Sequence, residues 1–249
     1  MKLSIVGKLK SKATKKIVTL TPLSKYTNKS DIVVNYGLVQ NKLYTKYPSI
    51  KIKPIINKFI GCNKYRAIKE AEHAKILVPK TLMSLTKLDQ KLKFIVKKFH
   101  SQGGVGIKIA TTKSKLKHKY YQEFINDRRY ELRVHGFLWE DIDKWTIQKR
   151  LGKKEEIAWN YHNGGTFQSI KCPNNYDTFI KAKQIAYSIL KLRNMAFGAV
   201  DLIVTNSGDI YFIEINSAPG FTKLSEQVYI NAFNTLVKIP KKEILKYCK

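Results

Sequence analysis

At 249 residues, 43% of them hydrophobic, the chain is long enough to bury one large core or two smaller ones. Its 47 Lys+Arg against 18 Asp+Glu give a formal charge of +29, a field that attracts polyanions such as an acidic peptide, a nucleic acid or a nucleotide. No apolar run approaches the roughly 20 residues of a membrane helix and the N-terminus lacks a continuous apolar signal core, so a soluble, cytoplasmic protein without a membrane span is expected. Cys62, Cys172 and Cys248 show no CxxC or Cys/His spacing, which excludes a zinc module and a disulfide framework.

Residues 2–57 carry short apolar runs, Leu3–Val6, Ile17–Leu20, Asp31–Tyr36 and Ile50–Ile56, whose spacing predicts the strands of a small α/β domain. Asp31–Tyr36 runs into Gly37 as a strand into a turn, and the lysine-rich Lys8–Lys16 reads as a solvated loop. A helix follows from Asn63, a natural N-cap, to the stop at Pro79, with Tyr65, Ile68, Ala71 and Ala74 inward. Lys64 stands in its first turn, where the helix dipole disfavours a cation; that mild cost suits a residue kept to meet an anion.

Phe94–Ala110 reads as a strand, a glycine loop and a second strand. Gly103, Gly104 and Gly106 permit a tight loop whose N–H groups turn toward phosphate, and since no Gly-Lys-Ser/Thr follows, the loop joins two strands instead of opening a helix. Alternation sends Lys97 and Lys98 to opposite faces. Beyond a basic run to Lys119, Tyr120–Ile125, Glu131–Gly136 and Trp145–Arg150 read as extended segments. A cross-strand ion pair is the plain reading of Glu131 and Arg133. Trp159–Gly165 is an irregular loop rich in hydrogen-bonding groups. Asp177–Arg193 is an amphipathic helix with Phe179, Ile180, Ala182, Ala186, Ile189 and Leu190 as its buried stripe.

The most informative stretch is Phe197–Thr222. Two β-rich runs, Ala199–Val204 and Ile210–Ile215, flank Asn206-Ser207-Gly208-Asp209, the signature of an antiparallel hairpin. A period of two places Tyr211, Ile213 and Ile215 on one face and Phe212, Glu214 and Asn216 on the other. With Asp201 on the partner strand, two carboxylates and an amide oxygen converge, a donor set that suits Mg²⁺; acidic side chains simply facing water are the alternative.

Gly198-Ala199-Val200-Asp201-Leu202, Glu214-Ile215-Asn216 and Pro219-Gly220-Phe221-Thr222 resemble the metal-binding end of the ATP-grasp carboxylate–amine ligases, among them the D-alanine–D-alanine ligases and the ligases that add glutamate to a ribosomal protein. Several further segments, in the family's order, extend the resemblance over roughly residues 60–230. It implies an α+β (α/β) ATP-grasp fold in which two α+β subdomains, residues 61–125 and 126–249, sandwich ATP after a truncated α/β domain at 1–60. In such a fold Asp201, Glu214 and Asn216 would hold Mg²⁺, Lys64 would reach the α-phosphate, and Lys97 with Gly103, Gly104 and Gly106 would hold and cover the phosphates. The backbone of Glu123 and Ile125 would read adenine, and Glu131 would accept from the ribose. Arg133 would hold phosphate or substrate carboxylate, and Arg150 and Asn160 would stand beside the transferred phosphate. His162 reads as a loop-packing residue. The implied activity is an ATP- and Mg²⁺-dependent joining of a carboxylate to an amine through an acylphosphate, the carboxylate belonging to an acidic amino acid, a peptide or another anion. The other class open to so basic a chain is a non-enzymatic nucleic-acid-binding protein on a nucleotide fold.

Overall fold

The computed structural model describes residues 1–7, 11–58, 63–85, 92–100, 106–110, 119–152, 157, 159, 165–169 and 177–248. The chain opens with β1 (Leu3–Gly7), α1 (Lys12–Leu20), β2 (Ser24–Lys25), β3 (Ile32–Tyr36), α2 (Gln40–Lys46) and β4 (Ile55–Ile56), giving a parallel sheet of order β2-β1-β3-β4. Every residue of β1 and β3 is buried, as expected of parallel strands covered on both faces. Three expectations fail here. Ile17–Leu20 ends helix α1, whose Ser11 cap accepts from the Thr14 N–H at 3.1 Å and whose Ala13 and Ile17, four apart, share the buried face. The lysines at 12, 15 and 16 therefore lie in a helix and not in a loop. Ile50 is buried in a 3₁₀ turn, Pro48–Ile52, opened by its proline, so only Ile55–Ile56 of that run is strand.

The middle of the chain forms α3 (Lys64–His73), β5 (Thr81–Leu82), β6 (Phe94–Lys98), β7 (Lys108–Ile109) and β8 (Lys119–Glu123), an antiparallel sheet of order β5-β8-β6-β7. Asn63 caps α3, accepting from the Arg66 N–H at 3.1 Å. Ile68 and Ala71 are buried as expected, whereas Ala74 is exposed beyond the helix end and Ala67 takes its place inside. β6 and β7 run antiparallel, Val96 opposite Lys108, which is the strand, loop, strand order expected around the glycines.

The third sheet is built from β9 (Arg128–Phe137), β10 (Thr146–Leu151), β11 (Thr166–Ser169), β12 (Phe197–Thr205) and β13 (Ile210–Asn216), all antiparallel in the order β11-β10-β9-β12-β13, with α4 (Asp177–Leu192) inserted before β12. The period of two divides it cleanly. Tyr130, Leu132, Val134, Ile147, Val200, Leu202, Val204 and Phe212 pack on Ala182, Ala186, Ile189 and Leu190 of α4 and on Ile68 of α3. Within α4, Ile180 is 40% exposed, against expectation; the fifth buried position is Lys183, whose ammonium donates to the Asp143 carbonyl at 2.6 Å.

The hairpin forms, but its second strand does not alternate simply. Asp201 pairs with Glu214 and Leu202 with Phe212, leaving Ile213 as an extra residue in a β-bulge. Phe212 therefore joins Leu202 in the core while Tyr211, Glu214 and Asn216 lie with Asp201 on the opposite face, correcting the facing read from the sequence.

The chain closes with α5 (Lys223–Leu236) and the short α6 (Lys241–Ile244). Thr222 and Ser225 form a capping box at the start of α5. Helix α5 joins the first sheet to the third: Tyr229 and Phe233 share one core with Ile5, Ile17, Val34 and Tyr36 on one side and Phe137 and Phe197 on the other. Asn57, at φ 58°, clamps the same junction: its amide oxygen accepts from the Ala196 N–H at 2.7 Å and its amide nitrogen donates to the Phe197 carbonyl at 2.9 Å. Gly37, at φ +87°, lets the end of β3 pass Ala218, where a Cβ would come within 2.5 Å of that methyl. These contacts fix the base of β12 and the Pro219 segment beside the polar face. Among the described residues no helix is long and apolar enough to cross a membrane.

Candidate active site

The polar face of the third sheet follows from register. Glu131 stands opposite Arg150, Arg133 opposite both Gln148 and Asp201, and Asp201 opposite Glu214. Alternation that puts Leu132 and Leu202 into the core leaves these side chains no other side to occupy.

Asp201 is the centre. It is 1% exposed, and Arg133 grips it with two parallel bonds, Nε to Oδ1 and Nη2 to Oδ2, each 2.6 Å. Arg150 approaches Oδ2 at 3.4 Å and donates to Glu131 at 2.7 Å, while Arg128 holds the other Glu131 oxygen at 3.0 Å. Burial by itself would raise the Asp201 carboxyl, but Arg133 and Arg150 hold it well below the usual carboxylate range. Burial pushes the Glu131 carboxyl up, against the pull of Arg150 and Arg128.

Asn216 links the two metal candidates, its amide donating to Glu214 Oε1 at 3.1 Å and approaching Asp201 Oδ2 at 3.5 Å. The other Glu214 oxygen accepts from Lys64 Nζ at 2.5 Å. Lys97 reaches the same locus from the second sheet. It is 7% exposed, donates to Gln122 Oε1 at 2.8 Å, and feels Glu214, Lys64, Glu131 and Asp201. Burial lowers its ammonium to about 8, a pull that Glu214 opposes and Lys64 reinforces. Lys98, next along the strand, is exposed on the other face as expected.

Lys64, Lys97, Glu131, Arg133, Arg150, Asp201, Glu214 and Asn216 thus gather into one cluster, drawn from α3, the second sheet and the third. Counting Arg128, five cations face three carboxylates, an excess of two positive charges that a polyphosphate would balance. The donor set fits a hard cation: Glu214 and Asn216 are partly exposed oxygens on one face, with Asp201 in register beside them. Among the described residues no group of three or more His, Cys, Asp or Glu is placed to hold a metal ion, so the amide oxygen of Asn216 would have to complete such a set.

Glu123 is the last residue of β8 and Ile125 follows two residues beyond it. The Glu123 N–H donates to the Lys80 carbonyl at 2.8 Å and its carboxylate accepts from the Lys80 N–H at 3.3 Å; Ile125 is buried. Gly106, at φ +79°, ends the turn into β7. Gly103, Gly104, Asn160 and His162 lie outside the described residues.

Sequence reasoning missed several members of the cluster. Gln122 and Gln148 alternate in phase with Tyr120 and Arg150, and that phase was a readable signal. Gln148 ties the buried His135, at 2.9 Å, to the Thr222 cap of α5, at 2.8 Å. Burial lowers His135 to about 4, leaving it a neutral strut at physiological pH. Phe167 lies 4.8 Å from the Arg150 guanidinium carbon and 5.7 Å from that of Arg133, and Arg128 stacks at 3.8 Å on Trp159; these meetings depend on long-range register that no local pattern encodes.

Residues 62–221 match the model of the ATP-grasp domain family, well over half of the chain. The chain belongs to the ATP-grasp family. D-alanine–D-alanine ligase B of Clostridium tetani is 27% identical to it over 213 residues, 78% of this chain and 55% of that protein, so the chain spans little more than half the length of this relative. Among solved structures, the RiPP-associated ATP-grasp ligase of Chryseobacterium gregarium, in complex with ADP and a leader and core peptide, superposes with a TM-score of 0.67 at 13% identity, covering 96% of this chain and 98% of that one. The ATP-grasp ligase PsnB, solved with a phosphomimetic variant of its minimal precursor, Mg and ADP, gives 0.65 at 11% identity, covering 96% and 99%. At these identities the likeness carries the ATP-grasp fold, with its mixed helices and sheets, and no more.

Proposed function

We propose that this ATP-grasp chain is a ligase that uses ATP and Mg²⁺ to join a carboxylate to an amine, and that the carboxylate is an acidic side chain of a peptide. The observation that carries the reading is the five-to-three excess of cations around Asp201, Glu214 and Asn216, gathered where two sheets and the start of α3 meet. Lys64 and Lys97 bind the phosphates, the glycine loop with Gly103, Gly104 and Gly106 covers them, and the backbone at Glu123 and Ile125 together with Glu131 takes the nucleoside. Asp201, Glu214 and Asn216 would hold Mg²⁺, which when bound would neutralise phosphate charge. A substrate carboxylate oxygen attacks the γ-phosphorus, the bond to ADP breaks, and an acylphosphate forms. The amine then attacks the acyl carbon, phosphate leaves and the amine gives up a proton. Positioning and cations suffice for this chemistry; Arg133 and Arg150, with Asn160, steady the charge on the γ-phosphoryl oxygens during transfer and on the acyl oxygen when the amine adds.

The formal +29 charge supports an acidic substrate, and a peptide as its bearer is supported by the Chryseobacterium gregarium ligase, which was solved with a leader and core peptide. Saturating Mg-ATP should raise the melting temperature by several degrees, since a ligand at about 100 times its dissociation constant stabilises by roughly 2.7 kcal/mol. Lys97→Ala should shrink that shift and Lys98→Ala should not. The absence of any shift in the wild type would overturn the nucleotide reading.

The buried lysine also sets a pH dependence. Below about pH 8 Lys97 is charged and meets a phosphate; above it the ammonium is lost, so affinity for Mg-ATP should decline as pH rises past 8. Stability of the free protein moves the other way. The folded pKa lies below the ordinary 10.5, so the unfolded chain binds more protons between about 8 and 10.5 and folding gains over that window. Nucleotide titrations at pH 7 and 9.5 should show the decline in the wild type and not in Lys97→Ala; equal declines in both would assign it to another group.

A further inference from the structure

We propose that the phenolic hydroxyl of Tyr120 is a further binding group of this cleft, donating a hydrogen bond to a phosphate oxygen of the bound nucleotide. The inference rests on the ligase reading above. Tyr120 sits on β8 directly opposite Lys97 on β6, so it shares the face of Lys97 and Gln122, while Tyr121 turns the other way into a small core with Phe94 and Val96. The Tyr120 ring is held on two sides: its centroid lies 5.9 Å from that of Phe99, the planes 9° apart, and 5.7 Å from that of Tyr65, in the first turn of α3 beside Lys64.

The side chain is fully buried, yet its hydroxyl has no hydrogen-bond partner among the described residues. A buried hydroxyl left unpaired costs stability, and phenylalanine would keep both ring contacts without that cost. The nearby Glu214 carboxylate is not a partner either: its oxygens accept from Lys64 at 2.5 Å and Asn216 at 3.1 Å, and no hydrogen bond joins it to the phenol. Burial, and behind it the charge of Glu214, pushes the phenol well above the ordinary tyrosine range, so the group is a donor at every working pH. A fixed donor with no acceptor, on the face of a buried lysine and beside a cluster with surplus positive charge, is complementary to an anionic oxygen. The polyphosphate that Lys64 and Lys97 would bind supplies one.

The test is Tyr120→Phe in the full chain, with Tyr121→Phe as the control on the opposite face. Calorimetric titration with Mg²⁺ and a non-hydrolysable ATP analogue should show about tenfold weaker binding in Tyr120→Phe, equivalent to about 1.4 kcal/mol. Adenosine, which lacks the phosphates, should bind equally to variant and wild type, and the melting temperature of the free variant should equal or exceed that of the wild type. Tyr121→Phe should leave nucleotide affinity unchanged. Binding of the analogue within twofold of wild type in Tyr120→Phe would overturn the proposal. So would a lowered melting temperature with unaltered affinity, which would make the hydroxyl part of the fold. A wild type that binds no nucleotide would overturn the ligase reading and this proposal together; one that binds while Tyr120→Phe binds equally well would overturn the proposal alone.

Discussion

Replacing Arg133 with methionine is expected to be among the most damaging single changes in this protein, at a cost of about 3–5 kcal/mol. The reason is what it leaves behind. Asp201 has a side chain only 2% exposed and receives two 2.6 Å bonds from Arg133; its remaining cation, Arg150, stands at 3.4 Å and is committed to Glu131. Methionine fills most of the volume but provides no charge, so a carboxylate held far below its usual range would lie in the sheet interior with little to balance it. For a chain of this size the melting temperature should fall by roughly 10 °C. The double variant Arg133→Met with Asp201→Leu should recover much of that loss, because a buried pair replaced as a unit leaves no orphan. Denaturant unfolding of the two single variants and the double gives the coupling directly. A cost under about 1 kcal/mol for Arg133→Met, or strict additivity in the cycle, would show that Asp201 does not depend on this guanidinium.

The hairpin was legible because its determinants are local. The turn cluster Asn206–Asp209 lies between two β-rich runs, and Thr205 accepts the Asp209 N–H at 2.9 Å to close the turn. The opposite facing of Lys97 and Lys98 was legible for the same reason, since period two needs no partner to be stated. The failures have two physical causes, a competing local signal and a long-range pairing. Ile17–Leu20 carries β-branched residues, but Ser11 and the Ala13 to Ile17 spacing organise it as helix against α5. The bulge at Ile213 arises because β13 must satisfy the core through Phe212 and the polar face through Glu214, two demands that strict alternation would place on one side. The polar cluster was half legible. Its carboxylates, amide and Lys97 interrupt apolar runs and so announce themselves, whereas the bidentate grip of Arg133 on Asp201 depends on β9 lying between β10 and β12, an order the sequence does not spell out.

That grip also separates the metal candidates by role, and Glu214 is the one to change. Asp201 is already paired with Arg133, but Glu214 is partly exposed and accepts from Lys64 and Asn216. Glu214→Gln keeps the shape, removes one of three carboxylates from the cluster and loosens Lys64. Two opposite effects on nucleotide binding should follow. Without divalent metal, affinity for ADP should rise severalfold, because the positive excess grows and Lys64 is released to meet phosphate. With Mg²⁺ present, the gain in affinity that the wild type draws from the metal should be largely lost, and ligase turnover should fall by at least about a thousandfold, the scale of removing a principal electrostatic stabiliser from a transfer step. Titration of ADP with and without Mg²⁺ reads the first pair of effects independently of any substrate. Undiminished turnover in Glu214→Gln would remove it from the metal site. An unchanged metal-free affinity would show instead that the Lys64 ammonium is not held back by this carboxylate in solution.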